Sequence, residues 1–381
     1  MRLYHTVKAL GEVGTVDLFA AFDPAWRDAE PVPAELAVRR ARLLPLPSGR
    51  WAGGDTRLPR ELTSRRYDLA RRELTRWAAD RYDLVWLSRV ESYLSCGPTA
   101  APSVLDLDDI EHRKVLGRWW AEHLPPYPRP GSGRLTARTA LSEASRWRRL
   151  QTSAARRVDV AVVCSEPDAA RIPLPRPAVV PNGYEPPPAL AALPAAARFP
   201  TITLPGFLRY GPNADAADLL VHCILPHIRR QVPDVRVRLV GEPDARVSRL
   251  HDPPWVTVTG QVPDIRVELG ATHLIAAPLR YGSGTRIKIL EAFAHRLPVV
   301  STSIGAAGLC VVDGVHLLIC NSPRAFASAC VRLLRDHALR KSLVDSGHAL
   351  FLQRYQWSDI RRRITRLAAE VSDGRRPVPR G

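Results

Sequence analysis

Cysteine, methionine and lysine are all scarce in this chain, and no long apolar run interrupts it. The six cysteines (Cys96, Cys164, Cys223, Cys310, Cys320 and Cys330) form no C-x-x-C pair, which argues against a zinc site. Most lie in apolar stretches and read as buried, reduced thiols rather than a disulfide framework. No segment reaches the roughly eighteen consecutive apolar residues of a membrane-spanning helix. The opening Met1-Arg2-Leu3-Tyr4-His5 lacks the apolar core of a signal peptide. The expected location is cytoplasmic, with peripheral attachment at the inner face of the membrane as an extension. Only Lys8, Lys114, Lys288 and Lys341 among the 55 basic residues are lysines, so the net charge of +17 is nearly all arginine. GC-rich coding explains such a skew as well as selection for a polyanion does. Charge spread over solvated helices is the plain reading; attraction to an anionic membrane surface or a phosphorylated acceptor is the alternative. Aromatic residues do not alternate with the basic runs, so nucleic acid is not an expected partner.

What is present is a chain of 381 residues and 42.2 kDa, more than one hydrophobic core usually serves, so two domains are expected. Helical and strand patterns alternate from the start. A helix is expected over Arg2 to Val13, strands at Thr15 to Phe22 and Ala41 to Pro47, and a helix from Thr63 to Ala79. Strands follow at Asp83 to Ser88, Pro102 to Asp109, Val158 to Ser165 and Pro177 to Gly183. Pro186 to Ala197, almost all proline, alanine and leucine, reads as a linker. Beyond it the alternation restarts, with strands near Thr201, Val235, Trp255, His273, Pro298 and His316 and a helical tail from Pro323 to Ser372. The organisation expected is a domain over 1–185, a linker over 186–198, a second domain over 199–355, and a terminal helix and tail over 356–381. Alternation of this kind implies two α/β, doubly wound domains with parallel sheets and a cleft between them, and ligands of such sheets bind beyond the carboxyl ends of the strands.

One stretch concentrates the chemistry. Pro278-Leu279-Arg280-Tyr281-Gly282-Ser283-Gly284-Thr285-Arg286-Ile287-Lys288-Ile289-Leu290-Glu291-Ala292-Phe293-Ala294 reads as a strand end, a glycine loop and a helix capped by Thr285. That helix is apolar on nearly every side, so Arg286, Lys288 and Glu291 are costly within it unless something compensates them. A diphosphate on the loop N–H groups, flanked by two cations, would do so, and Glu291 would then accept from the hydroxyls of an attached ribose. A glycine turn carrying solvated charges is the alternative.

Several motifs in order, from Leu204 to Tyr355, carry a resemblance: Pro205-Gly206-Phe207-Leu208-Arg209-Tyr210-Gly211-Pro212-Asn213, Pro233-Asp234-Val235-Arg236-Val237-Arg238-Leu239-Val240-Gly241, the glycine stretch, and Leu297-Pro298-Val299-Val300-Ser301 through Leu309. Together they resemble the nucleotide-sugar domain of GT-B glycosyltransferases of family 4 (group 1), in the Gly-x-Gly-Thr-Arg-Ile-Lys branch. Asp83 to Ser88, Leu105 to Glu111 and Val179 to Gly183 resemble the acceptor domain. The resemblance implies two Rossmann-like domains and retaining, metal-independent transfer from a nucleotide-diphosphate sugar to a polysaccharide, lipid-linked or small-molecule acceptor, without a cofactor. It implies that Glu291 binds ribose and that Ser283 stands where the family places a sugar-contacting glutamate. The family's phosphate-neutralising pair would fall near Phe207 and Pro212, leaving Arg209, Arg286 and Lys288 as substitutes, with Gly206, Gly282, Gly284 and Thr285 lining the donor. The first strand and glycine loop of relatives have no counterpart ahead of Arg2, so an N-terminal domain lacking them is expected, with a start placed too far downstream as the favoured reason.

The remaining polar groups admit two readings each. Asp106-Leu107-Asp108 spells a metal motif of another glycosyltransferase fold, yet strand-end carboxylates often cap a following helix; Asp108 or Asp109 is also the candidate acceptor contact. Arg89 could meet an anionic acceptor or sit in a salt bridge. Asn182-Gly183 reads as a turn near the interdomain crossing, either structural or lining the cleft, and His112 and His123, which lack metal-ligand spacing, read as ordinary helix residues. A non-catalytic nucleotide-sugar-binding protein and a sugar-nucleotide epimerase are the alternative functions.

Overall fold

The computed structural model describes residues 1–23, 31–46, 57–63, 66–78, 81–123, 136–173, 177–188 and 198–374. The chain divides into two compact units. One comprises Met1–Val115, Ala137–Asn182 and Trp357–Gly381; the other comprises Leu116–Thr136 and Gly183–Gln356. Most of the expected linker, residues 189–197, lies outside the described residues.

The first unit opens on a helix, Arg2–Gly11, followed by strands β1 (Val16–Phe22) and β2 (Val38–Pro45), which pair in parallel. Four further strands, β3 (Val85–Ser88), β4 (Ser103–Asp106), β5 (Val160–Val163) and β6 (Ala178–Val179), form a parallel sheet in sequence order. Among the described residues no strand pair joins the two sheets. β4 and β5 are buried at every position, as the uninterrupted apolar runs of an inner parallel strand require. The terminal segment is not a separate appendage. Apolar residues at helical spacing (Trp357, Ile360, Ile364, Leu367, Val371) give the Trp357–Ser372 helix one buried stripe, packed with Ala9, Val104, Val162 and Val180 of this unit. Trp357 stacks on His5 with ring centroids 4.1 Å apart.

The second unit carries strands β7 (Thr201–Pro205), β8 (Arg236–Val240), β9 (Val256–Gly260), β10 (Leu274–Ala277), β11 (Val299–Ser301) and β12 (Leu318–Ile319). They are ordered β12-β11-β10-β7-β8-β9, and every pairing is parallel. Chain order therefore reverses between β7 and β10, the switch point at which doubly wound sheets bind ligands. After β7, helices Gly211–Leu219 and Leu225–Arg229 flank a π turn at Leu220–Ile224, where Pro226 cannot supply the N–H of a continuous α-helix. The expected helical tail is three helices, Pro323–Arg335, His337–Arg354 and Trp357–Ser372. Behind the switch point the Ile287–Ala294 helix buries Ile289, Leu290, Ala292, Phe293 and Ala294. Phe293 is 2% exposed and lies so close to Gly347 that a Cβ there would approach its ring to 2.7 Å.

Candidate functional site

Two loops flank the switch point, one after β7 and one after β10. The chain leaves β7 at Gly206, whose φ of 127° is closed to most L side chains. The loop after β8 presses on it, since a Cβ at Gly241 would stand 2.0 Å from the Gly206 carbonyl oxygen. Only glycine at 241 permits that backbone approach. After β10 the chain turns through Gly282, with φ 132°, and a Cβ at Gly282 would meet the Arg286 guanidinium at 3.1 Å. The loop is tied to its neighbour after β11. The Thr302 hydroxyl donates to the Leu279 carbonyl at 2.5 Å, Ser301 to that of Ala277 at 3.2 Å, and Arg286 Nη2 to that of Ile304 at 3.4 Å. Arg280, next to the strand end, forms a buried two-point pair with Asp215 at 2.9 and 2.7 Å. Its charge is thus already matched inside the fold.

The expected cap is displaced. The helix starts at Ile287, so Arg286 and not Thr285 occupies the N-cap, and no side chain caps it; Thr285 instead receives the Ile287 N–H on its carbonyl at 3.1 Å. The Ile289 N–H at the start of the helix is likewise taken by a local acceptor, the Arg286 carbonyl, at 2.9 Å. The Arg286 guanidinium curls over its own loop, donating to the carbonyls of Ser283 and Gly284. Lys288 lies at the same end, and its Nζ donates to Asn213 Oδ1 at 2.8 Å while Asn213 Nδ2 donates to the Phe207 carbonyl at 2.8 Å. Nζ is also 3.6 Å from the position a Gly206 Cβ would take. Burial first, and then the Arg286 cation, push the Lys288 ammonium down to about 7, against the pull of Glu291.

Glu291 is one turn further along and half-buried. Its Oε1 accepts from the Tyr184 hydroxyl at 2.9 Å, and that hydroxyl stands 3.5 Å from His295 Nε2. Burial raises the Glu291 carboxyl, while Tyr184 and then Lys288 hold it down; burial and Glu291 raise the Tyr184 phenol. Gly206, Gly282, Ser283, Gly284, Thr285, Arg286, Lys288 and Glu291 therefore belong to one end of the sheet of the second unit. Arg209 is half-exposed and paired with Glu242 at 2.7 Å.

Asp108 belongs to the first unit, where residues from four successive strand ends converge. Asn182 Nδ2 donates to its Oδ1 at 3.1 Å, the Cys164 thiol donates to the same oxygen at 3.4 Å, and Arg89 Nη2 lies 3.5 Å from its Oδ2. Both Asp108 and Arg89 have positive φ, 54° and 66°, a strain that side chains rarely accept without a local reason. Asp106 accepts Arg2 Nε and Nη2 at 2.7 and 2.9 Å, so the Asp-x-Asp carboxylates are engaged by arginines and neither caps a helix through its side chain. His123 bonds the Trp119 carbonyl of its own helix at 2.9 Å. Cys310 departs from the expectation of buried thiols, being exposed; Cys164 and Cys330 are buried. Sequence reasoning missed Asn213, Tyr184 and Arg2 as parts of these clusters. Asn213 had a signal in its place one residue past Gly211-Pro212. Tyr184 had none, because its partner is 107 residues away.

Parallel sheets in each unit, that of the second reversing at a glycine-lined switch point, define the GT-B fold. Solved structures agree over nearly the whole chain. Sucrose-phosphate synthase from Thermosynechococcus elongatus superposes with a TM-score of 0.73 at 17% identity, covering 98% of this chain and 93% of that one. WaaG, a glycosyltransferase involved in lipopolysaccharide biosynthesis, gives 0.63 at 13% identity with 98% and 95% covered. Anabaena HepE, solved with UDP and glucose, gives 0.65 at 16% identity with 96% and 94% covered. Residues 200–336 match the family described as Glycosyl transferases group 1. Over 202 residues the chain is 29% identical to a phosphatidyl-myo-inositol mannosyltransferase of Mycobacterium leprae (strain TN); the match takes in 51% of this chain and spans about half, 53%, of that relative. Among the described residues, no helix is long and apolar enough to cross a membrane.

Proposed function

We propose that the protein transfers a sugar, with retention and without a metal, from a nucleotide-diphosphate sugar to a polysaccharide, lipid-linked or small-molecule acceptor. The observation that carries this reading is the gathering of Lys288, Arg286 and the Gly282–Thr285 loop with Gly206 at the switch point, with Glu291 one helical turn behind. Cleavage of the sugar–phosphate bond leaves negative charge on the departing diphosphate, and preorganised cations and helical N–H groups stabilise that charge where it develops. Lys288 and Arg286 fill this role, Glu291 binds the ribose, and Arg209 is the outer cation. UDP is bound by the neighbour HepE, which supports a uridine nucleotide among the candidates. The name of the mycobacterial relative supports a lipid-linked acceptor at an anionic membrane surface. Asp108, held at the strand ends of the first unit beside Arg89, is the group we assign to an acceptor hydroxyl.

Incubation with UDP-, GDP- and dTDP-sugars, followed by mass spectrometry for released nucleotide and new glycoside, tests the reading. Slow hydrolysis of one donor class, accelerated by an acceptor, is the expected result. A second reading, nucleotide-sugar binding without catalysis, is favoured by Ser283 in place of a sugar-contacting glutamate and by the engagement of Arg286 with its own loop. Saturable binding with no turnover on any acceptor class would select it.

A further inference from the structure

We infer that Tyr184 is a positioning residue for nucleotide binding: it orients the Glu291 carboxylate so that one oxygen is occupied and the other is presented to a vicinal diol. The inference rests on the donor reading above and adds to it a residue outside the glycine loop. Tyr184 is fixed from both sides. Its backbone N–H donates to the Tyr355 carbonyl at 2.9 Å, with a further bridge to Gln356. Its ring packs on the core that holds Leu290 and Phe293, and stands edge-on to His295 with centroids 6.0 Å apart. The hydroxyl reaches Glu291 Oε1 at 2.9 Å from this anchored ring. Among the described residues Oε2 of Glu291 accepts no hydrogen bond, so the carboxylate is half satisfied in a half-buried setting.

A glutamate on a helix surface samples several rotamers, and a ligand that needs one of them must freeze it. A hydroxyl donated from a rigid ring freezes it beforehand, and charge-assisted hydrogen bonds of this type are among the stronger ones. The arrangement leaves Oε2 as the acceptor for the paired hydroxyls of a ribose, while the diphosphate meets Lys288 on the preceding turn. Tyr184 therefore acts on the nucleoside part of the donor and not on its phosphates. A side chain that only stabilised the fold would affect both parts equally.

The test uses the full chain and four probes: UDP, GDP, dTDP and inorganic pyrophosphate, each titrated by calorimetry. Tyr184→Phe keeps the ring and removes the hydroxyl. The expected result is about tenfold weaker binding of whichever nucleotide the unaltered protein takes, with pyrophosphate affinity within about twofold of the original. In a Glu291→Ala background the same change should have no further effect, because the group it orients is gone. Equal losses for nucleotide and pyrophosphate, or additive losses in the double variant, overturn the inference and leave the donor reading intact. Failure of the unaltered protein to bind any of the three nucleotides overturns the donor reading, and the inference with it.

Discussion

Lys288 offers the sharpest test, because its charge state couples donor binding to pH. With its ammonium near pH 7 in the empty protein, about one-tenth of the molecules carry the charge at pH 8. A diphosphate placed against Nζ adds opposite charge at contact distance and should raise the pKa by about two units. Binding at pH 8 then takes up about 0.8 proton, and affinity should fall about tenfold, or about 1.4 kcal/mol, between pH 6 and pH 8. A nucleotide sugar is the right ligand, since its diphosphate diester does not itself titrate near neutrality. Calorimetry in buffers of different ionisation enthalpy measures the proton count directly. Lys288→Met should remove both the proton uptake and the pH slope. Binding of normal strength with no proton exchange from pH 7 to 9, or an unchanged slope in the variant, would refute the assignment. The same lysine makes a statement about folding. Its pKa is depressed on folding from 10.5 to about 7, so between those values the unfolded chain holds the extra proton and stability rises with pH. Below pH 7 the buried charge weighs on the fold in full, and Lys288→Met should raise the melting temperature most at that end.

Glu291→Ala should weaken nucleotide binding by about 10- to 100-fold through the lost ribose contact, with melting temperature little changed because the residue is half-buried; equal affinity by calorimetry would end that role. Joint replacement Arg286→Ala and Lys288→Ala should abolish donor binding, and an unchanged dissociation constant would move the phosphate site elsewhere. Gly241→Ala places a Cβ 2.0 Å from the Gly206 carbonyl oxygen at a φ of 131°. It should destabilise the second unit by about 2–4 kcal/mol in denaturant unfolding and weaken donor binding through displacement of Gly206; retention of both would show that the two loops part without cost.

The alternation of strand and helix and the parallel sheets this implies were legible in the chain, as were the glycines and cations of the stretch after β10. Those follow from local rules: unbroken apolar runs for inner strands, glycine where φ is positive, and cations that are costly in an apolar helix unless they meet an anion. Element edges were less legible. Thr285 looks like a cap by residue type, but the glycine loop ends a residue later and Arg286 takes the place. Tertiary structure alone decided the partners. That Gly206 and Lys288 share one end of the sheet follows from β7 and β10 being neighbours at the switch point, a pairing that no spacing in the chain announces. The Trp357–Ser372 helix packs with the first unit because its apolar stripe matches the Ala9 face of the opening helix, a match made by shape and not by nearness in sequence. Tyr184 meets Glu291 for the same reason: hydrogen bonds between distant residues are set by how whole elements pack, and local propensity carries no record of them.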